Sequence, residues 1–166
     1  AIRAELGDPE GIAVALVHLG QVSLFQGEVA RAAAQFQQGL GSYTEIGDRG
    51  GEATALLGLG MAATAAGDYR SAADHLSAAL HLSARIGFTA RTNTIMAAVA
   101  ELLLAVGQPQ ETVVLVVLIL RDPASDRATS ERARGLLERC QPQLTPDQIA
   151  RATYGRQTVD LPAVRA

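Results

Sequence analysis

Residues 59–80, LGMAATAAGDYRSAADHLSAAL, decide the fold of this 166-residue chain. Apolar and small residues recur every three or four positions on both sides of Gly67, which is the spacing of one buried face on an α-helix. Gly67 stands where the first helix would end, because glycine adopts at least cost the left-handed backbone that closes a helix. Asp68 can cap the helix that follows. The stretch therefore predicts two helices joined by a tight turn.

Working outward from this stretch, the sequence repeats with a period of 40 residues and without a gap. The aligned sets are Gly27, Gly67 and Gly107 at the turn; Leu19, Leu59 and Val99, then Gly20, Gly60 and Ala100, in the first helix; and Ala32, Ala72 and Thr112, Phe36, Leu76 and Val116, then Leu40, Leu80 and Leu120, in the second. A small residue after the first aligned apolar position would let the two helices approach closely. GDPEG at 7–11 and GDRGG at 47–51 mark the turns between rows, with an aspartate to cap each new helix.

This spacing, Leu-Gly, seven residues to Gly, five to Ala and four to Phe or Leu, resembles the tetratricopeptide repeat. The family's usual period is about 34 residues, and a period of 40 overlaps the HEAT and armadillo repeats. HEAT repeats favour a proline bend in the first helix, which this sequence lacks. The resemblance implies an all-α, right-handed α-solenoid of antiparallel helix hairpins with C-terminal capping helices. It also implies that the extra six residues lengthen the second helix and its following turn.

The repeats predict one structural domain made of five consecutive segments. These are the tail of a preceding repeat helix at 1–7, repeat 1 at 8–47, repeat 2 at 48–87, a degenerate repeat 3 at 88–121, and capping helices with a C-terminal tail at 122–166. In the last segment, Ser125 or Asp126 can cap a helix, and TPDQ at 145–148 is a capping box.

The sequences at the two ends of the chain suggest that it is part of a longer protein. LGD at 6–8 aligns with IGD at 46–48, so the chain is expected to start inside a repeat and to be part of a longer solenoid. The closing YGRQTVDLPAVRA is similar to the ends of large bacterial signal-transduction ATPases and transcriptional regulators that carry tetratricopeptide arrays.

Composition and charge exclude several classes of function. The net charge is −3, which provides no positive field for nucleic acid or an anionic membrane surface. All 14 basic residues are arginine, so chemistry that needs a lysine amine is excluded within this chain. The apolar run TVVLVVLIL at 112–120 is about half the length that spans a bilayer. With a single cysteine and no leader pattern, we expect a cytoplasmic protein without disulfides.

No constellation predicts catalysis, a metal or a cofactor. GLGMAA at 58–63 has the letters of a dinucleotide loop, but it lies in mid-helix rather than between a strand and a helix. RGG at 49–51 is explained by turn chemistry. The histidines, the paired carboxylates and the arginines of the last segment are expected on caps and solvated faces. These residues are His18, His75 and His81; Glu10, Glu45, Glu52, Asp68 and Asp74; and Arg127, Arg132, Arg134, Arg139, Arg151 and Arg156.

The first helices of stacked hairpins line a concave groove, where solenoids bind peptides. By the family's pattern, the exposed groove positions are Val14, Val17, His18, Gln21 and Leu24; Thr54, Leu57, Met61 and Thr64; and Thr94, Ala97, Glu101 and Leu104. The Lys, Arg and Asn residues that hold a peptide carboxylate in chaperone-binding members are missing from them. The predicted ligand is an apolar helix or peptide anchored by Val17, Leu57 and Met61.

The predicted function is therefore a non-enzymatic protein-interaction module. Its partner is another protein or peptide, a second copy of the chain, or other domains of a parent chain. The alternative is a ligand-sensing arm of a signal-transduction ATPase or transcriptional regulator that takes a small effector in the groove. A scaffold with no groove ligand also stays open.

Overall fold

A computed structural model describes residues 8–87 and 89–154 of the chain. Over these residues the fold consists of eight α-helices and one short 3₁₀ helix, with no strand. The predicted all-α class and the succession of packed helix pairs are confirmed. The predicted helix tail at 1–7, residue 88, and the last residues of the predicted 122–166 segment, 155–166 with Arg156, lie outside the described residues. The chain divides into two compact units between Gly87 and residue 88, and each unit is described by itself.

The first unit contains two hairpins. Its helices are α1 (Pro9–Phe25), α2 (Val29–Ile46), α3 (Arg49–Ala66) and α4 (Tyr69–Arg85). Each helix packs against the next, and α1 also contacts α3. All four have 17 or 18 residues, so the two helices of a hairpin are nearly equal in length.

Glycine and aspartate set the ends of these helices. Gly27, Gly47 and Gly67 adopt positive φ angles of 78°, 74° and 78°, as predicted for residues that end a helix. Asp48 and Asp68 then cap the following helices by accepting the amide N–H of Gly50 and Ser71 at 2.9 and 3.1 Å. Asp8 does the same for Gly11. At the remaining turn of the first unit, Glu28 precedes α2 and makes no side-chain capping bond.

Close approach of the helices depends on the glycines at the predicted positions. A Cβ on Gly20 would lie 2.7 Å from Cε1 of Phe36, and one on Gly60 would lie 2.5 Å from Cγ of Leu76. Phe36 also fills the space above Gly58, which places its ring between the first and second hairpins. These contacts confirm the small residue of the repeat as the place where the paired helices meet.

The second unit contains four α-helices and a 3₁₀ helix among its described residues. They are α5 (Thr89–Ala105), α6 (Pro109–Arg121), α7 (Arg127–Cys140), a 3₁₀ helix (Gln141–Gln143) and α8 (Pro146–Tyr154). Residues 112–120 are helical despite their β-branched composition, because Val113, Val116 and Ile119 are fully buried in the unit. Helix α7 packs against both α5 and α6, and α8 packs against α6.

The predicted start signals of α7 and α8 are confirmed. Asp126 accepts the amide N–H of Thr129 at 2.7 Å and caps α7. Thr145 and Gln148 form a reciprocal capping box, with bonds of 2.8 and 3.3 Å. The residue before α6, Gln108, makes no side-chain capping bond. Helices α7 and α8 are therefore held at their starts by local polar contacts, whereas α6 begins without one.

Candidate binding face

Helices α1 and α3 are free of charged side chains along most of their length. Residues 11–25 and 53–66 contain no Asp, Glu, Lys or Arg. Charge appears only in the first turns, at Glu10 on α1 and at Arg49 and Glu52 on α3. Since α1 and α3 contact each other, they form one surface of the first unit whose chemistry is apolar and neutral.

Glu52 corrects the expectation of a solvated carboxylate. It is 6% exposed, and its Oε2 accepts a hydrogen bond from Nη1 of Arg49 at 2.8 Å. The carboxylate tolerates burial because the guanidinium one turn earlier pairs with it, and because its place in the first turn suits the positive end of the helix dipole. RGG at 49–51 is likewise the first turn of α3 rather than a free turn, and Gly51 lies under the ring of Tyr43.

Two of the three predicted anchors are core residues. Val17 is 2% exposed and Leu57 is 8% exposed, and their counterpart Ala97 is fully buried. The reason is visible at Val17, whose Cγ2 would lie 2.9 Å from a Cβ added to Gly39 of α2. This side chain points into its own hairpin. The predicted exposure of these positions, and of Leu104 at 9%, is therefore wrong.

The remaining predicted residues of the first unit stay accessible. We call them the α1–α3 face: His18 and Gln21 are exposed, and Val14, Leu24, Thr54, Met61 and Thr64 are half-buried. The hydroxyls of Thr54 and Thr64 donate to the carbonyls of Gly50 and Gly60 in their own helix, both at 2.9 Å. This leaves few polar groups for a ligand beyond His18 and Gln21.

In the second unit, α7 engages the predicted groove residues of α5. Thr94 and Thr129 share a hydroxyl hydrogen bond of 3.1 Å, and Glu101 accepts two bonds from Arg132. The structure therefore does not bring Thr94 and Glu101 to an open surface, because a helix of the same unit already pairs with them. Arg132 is accordingly a packing residue and not part of a solvated arginine face.

Sequence reasoning missed an exposed apolar row on α1. Leu19, Val22 and Phe25 are 50%, 52% and 94% exposed. In the repeat pattern Leu19 occupies the same position as Leu59, so the pattern does not distinguish their surroundings. The signal that could have found the row is the spacing of three residues among large apolar side chains on the first helix of the array.

Among residues 8–87 and 89–154, no three His, Cys, Asp or Glu side chains lie together as a metal site would require. Over the same residues, no helix has the length and apolar character needed to cross a membrane. Cys140 is a buried free thiol on α7, and burial raises its pKa.

Comparison with known proteins gives a family match over part of the chain. A family model described as tetratricopeptide repeat matches residues 11–85, which covers both hairpins of the first unit apart from the first residues of α1. The comparison with curated proteins gives no match.

Proposed function

We propose that the chain is a protein-interaction module whose α1–α3 face binds an apolar helix or extended peptide. The proposal starts from residues 11–85, which belong to the tetratricopeptide repeat family. Tetratricopeptide repeats generally mediate protein–protein interaction. The observation that carries the proposal is the lack of any charged side chain at residues 11–25 and 53–66, which together make most of α1 and α3.

The residues of this face indicate the chemistry of the ligand. Without Lys or Arg, the face offers no partner for a terminal carboxylate or an acidic peptide. Met61, on α3, has a flexible and polarisable side chain that adapts to apolar surfaces of different shape. His18 and Gln21 can each exchange one or two hydrogen bonds with a peptide backbone. The ligand is thus an apolar segment with few charges, supplied by another protein, by a parent chain or by a second copy.

Val17 and Leu57 are buried, so they cannot anchor a ligand. The half-buried apolar residues of the face are the anchors in this proposal. Val14 and Leu24 on α1, and Met61 on α3, each keep part of their apolar surface accessible. A ligand helix lying along them would bury that remainder, and a small number of well-buried side chains usually provides most of the affinity of such an interface.

A peptide-display selection on the full chain tests the proposal. We expect selected peptides to be apolar and helix-forming, and their affinity is measured by fluorescence anisotropy. The test variant is Thr54→Glu with Met61→Glu, which places two carboxylates where a bound apolar peptide leaves them unpaired. The matched control is Ala78→Glu with Ala84→Glu, at two exposed positions of α4 in the same unit.

The expected result is at least a tenfold loss of affinity in the test variant and unchanged affinity in the control, with both circular dichroism spectra native. Selection of mainly charged peptides would contradict the proposal, and so would a test variant whose peptide affinity equals that of the wild type. Failure to select any peptide, together with stabilisation by a small molecule, would favour the alternative of a small-effector sensor.

A further inference from the structure

Helix α7 covers positions of α5 that the repeat pattern assigned to the groove. Hydrogen-bonded side-chain pairs join α5 to α7 and to the turn before it. These pairs are Asn93 with Ser125, Thr94 with Thr129, and Glu101 with Arg132. Since Thr94 and Glu101 are predicted groove residues, α7 occupies a place where the sequence predicted a partner helix or peptide.

Polar contacts hold α7 in place together with a small amount of apolar burial. Its buried residues are Thr129, Ala133, Leu136 and Cys140, so it buries four residues, of which Leu136 is the largest apolar one. Helices α5 and α6 bury nine and six residues, most of them apolar. The following helix, α8, buries Ala152. A segment with few buried apolar contacts opens at a lower free-energy cost than the core of its unit.

Release of α7 leaves its polar groups hydrated. The side chains of Glu101 and Arg132 are 32% and 26% exposed, so water already reaches both charges and replaces the partner of each when the pair separates. The hydroxyls of Thr94 and Thr129 exchange each other for water in the same way. The main cost of opening is therefore the apolar surface that α6 and α7 bury against each other.

We propose that α7 is a latch. Residues 127–154 open apart from α5 and α6, and the opening uncovers a helix-binding surface that contains Thr94 and Glu101, with α7 closed in most molecules. The partner that fits this surface is a helix with the chemistry of α7 itself. It presents an arginine to Glu101, because a carboxylate covered without a cation is costly, and a leucine to the apolar surface.

Cys140 reports the opening of α7. It is the single cysteine of the chain, its side chain is 0% exposed, and its thiol is hydrogen-bonded to the side chain of Thr112 on α6. A thiol reagent therefore reaches Cys140 only in molecules where α7 has left α6. The rate of labelling under native conditions measures the fraction of open molecules.

Labelling of the full chain over a series of low urea concentrations tests the latch. We expect the free energy of opening to fall with urea at about half or less of the slope for global unfolding, because the slope scales with the surface that is exposed. Circular dichroism gives the slope for global unfolding. Equal slopes would overturn the proposal, since α7 would then leave α6 only when the whole chain unfolds.

Matched variants on α7 test the role of the pair with Glu101. Arg132→Met should speed the labelling of Cys140 at least fivefold, because it removes the cation that holds α7 on α5. Arg134→Met, at an exposed position of the same helix, should leave the rate unchanged. Equal rates for the two variants would overturn the assignment of the latch to this pair.

A peptide supplied from outside tests the uncovered surface. The probe is a fluorescent peptide of residues 125–142, titrated in reducing buffer against the full chain with Arg132→Glu, which places a second carboxylate opposite Glu101 and favours the open form. We expect it to bind this variant at least tenfold more tightly than the wild type, whose own α7 fills the surface. The same peptide with Arg132→Glu is the control and should bind at least tenfold more weakly. Failure of the probe to bind the variant chain, or equal binding of the two peptides, would overturn the proposed surface.

This proposal and the one for the α1–α3 face fail separately, because their residues lie in different units. Thr54→Glu with Met61→Glu should leave the labelling rate of Cys140 unchanged. Arg132→Glu should leave the affinity of a selected peptide for the α1–α3 face unchanged. A labelling rate that changed with the α3 variant would overturn the assignment of the opening to residues 127–154.

Discussion

Arg132 of α7 holds both carboxylate oxygens of Glu101 on α5, with Nε–Oε1 and Nη2–Oε2 distances of 2.7 and 2.5 Å. The side chains are 26% and 32% exposed, so the pair is only partly screened by water. Two parallel hydrogen bonds fix the guanidinium in one plane and define the register of α7 on α5. Glu101 was predicted to face a ligand, but its charge is paired with an arginine of its own unit.

Removing either partner of this pair should destabilise the second unit. We expect Arg132→Met or Glu101→Gln to lower the free energy of unfolding by about 1–2 kcal/mol, because each leaves the other charge without its partner. The double variant should cost less than the sum of the two single variants. Urea denaturation monitored by circular dichroism measures this coupling. Additive effects would show that the two residues do not act as a pair.

Gly60 should not tolerate even one methyl group. A Cβ there would lie 2.5 Å from Cγ of Leu76, so we expect Gly60→Ala to lower stability by about 1–3 kcal/mol through overpacking. Gly41, exposed on α2 with open space around the Cβ position, provides the control. There the same substitution should raise stability by about 0.5–1 kcal/mol. Thermal melts compare the two, and a neutral Gly60→Ala would contradict the close contact.

The cap of α7 should make stability depend on pH. Hydrogen bonds from Thr129, first from its backbone N–H, hold the pKa of Asp126 below its usual value. The folded pKa is depressed, so this stabilisation is complete above the unfolded pKa of about 4 and is lost as the pH falls through the folded pKa. Asp126→Asn keeps a neutral capping group. The melting temperatures of wild type and variant should differ at pH 7 and converge below about pH 4. A difference that is constant with pH would contradict this role.

Cys140 should be unreactive in the folded protein. Its side chain is 0% exposed, and burial raises the pKa of the thiol, so both access and thiolate fraction are low. We expect a thiol-specific reagent at pH 8 to modify native Cys140 at least a hundredfold more slowly than the same protein in 8 M urea. Immediate reaction of the native protein would show that α7 leaves its packing site.

The sequence alone predicted much of the local structure. The 40-residue period, the positive-φ glycines at 27, 47 and 67, the aspartate caps and the capping box at 145–148 all hold in the structure. These features depend on a few neighbouring residues, and the backbone preference of glycine or the capping bond of aspartate acts over one helical turn. The sequence also predicted where the paired helices approach closely, because a close approach requires a residue without a bulky side chain at the contact.

Tertiary structure alone decided which side of each helix is open. Leu19 and Leu59 share a repeat position and a residue type, yet one is 50% exposed and the other 6%, because α2 covers only the second. Val17 is buried inside its hairpin, although the repeat pattern predicted that it lines the groove. Glu101 pairs with Arg132, which lies 31 residues later in the chain on another helix. Helical periodicity specifies that one face is apolar. The helices that pack there, brought together from distant parts of the chain, determine which residues remain for a partner.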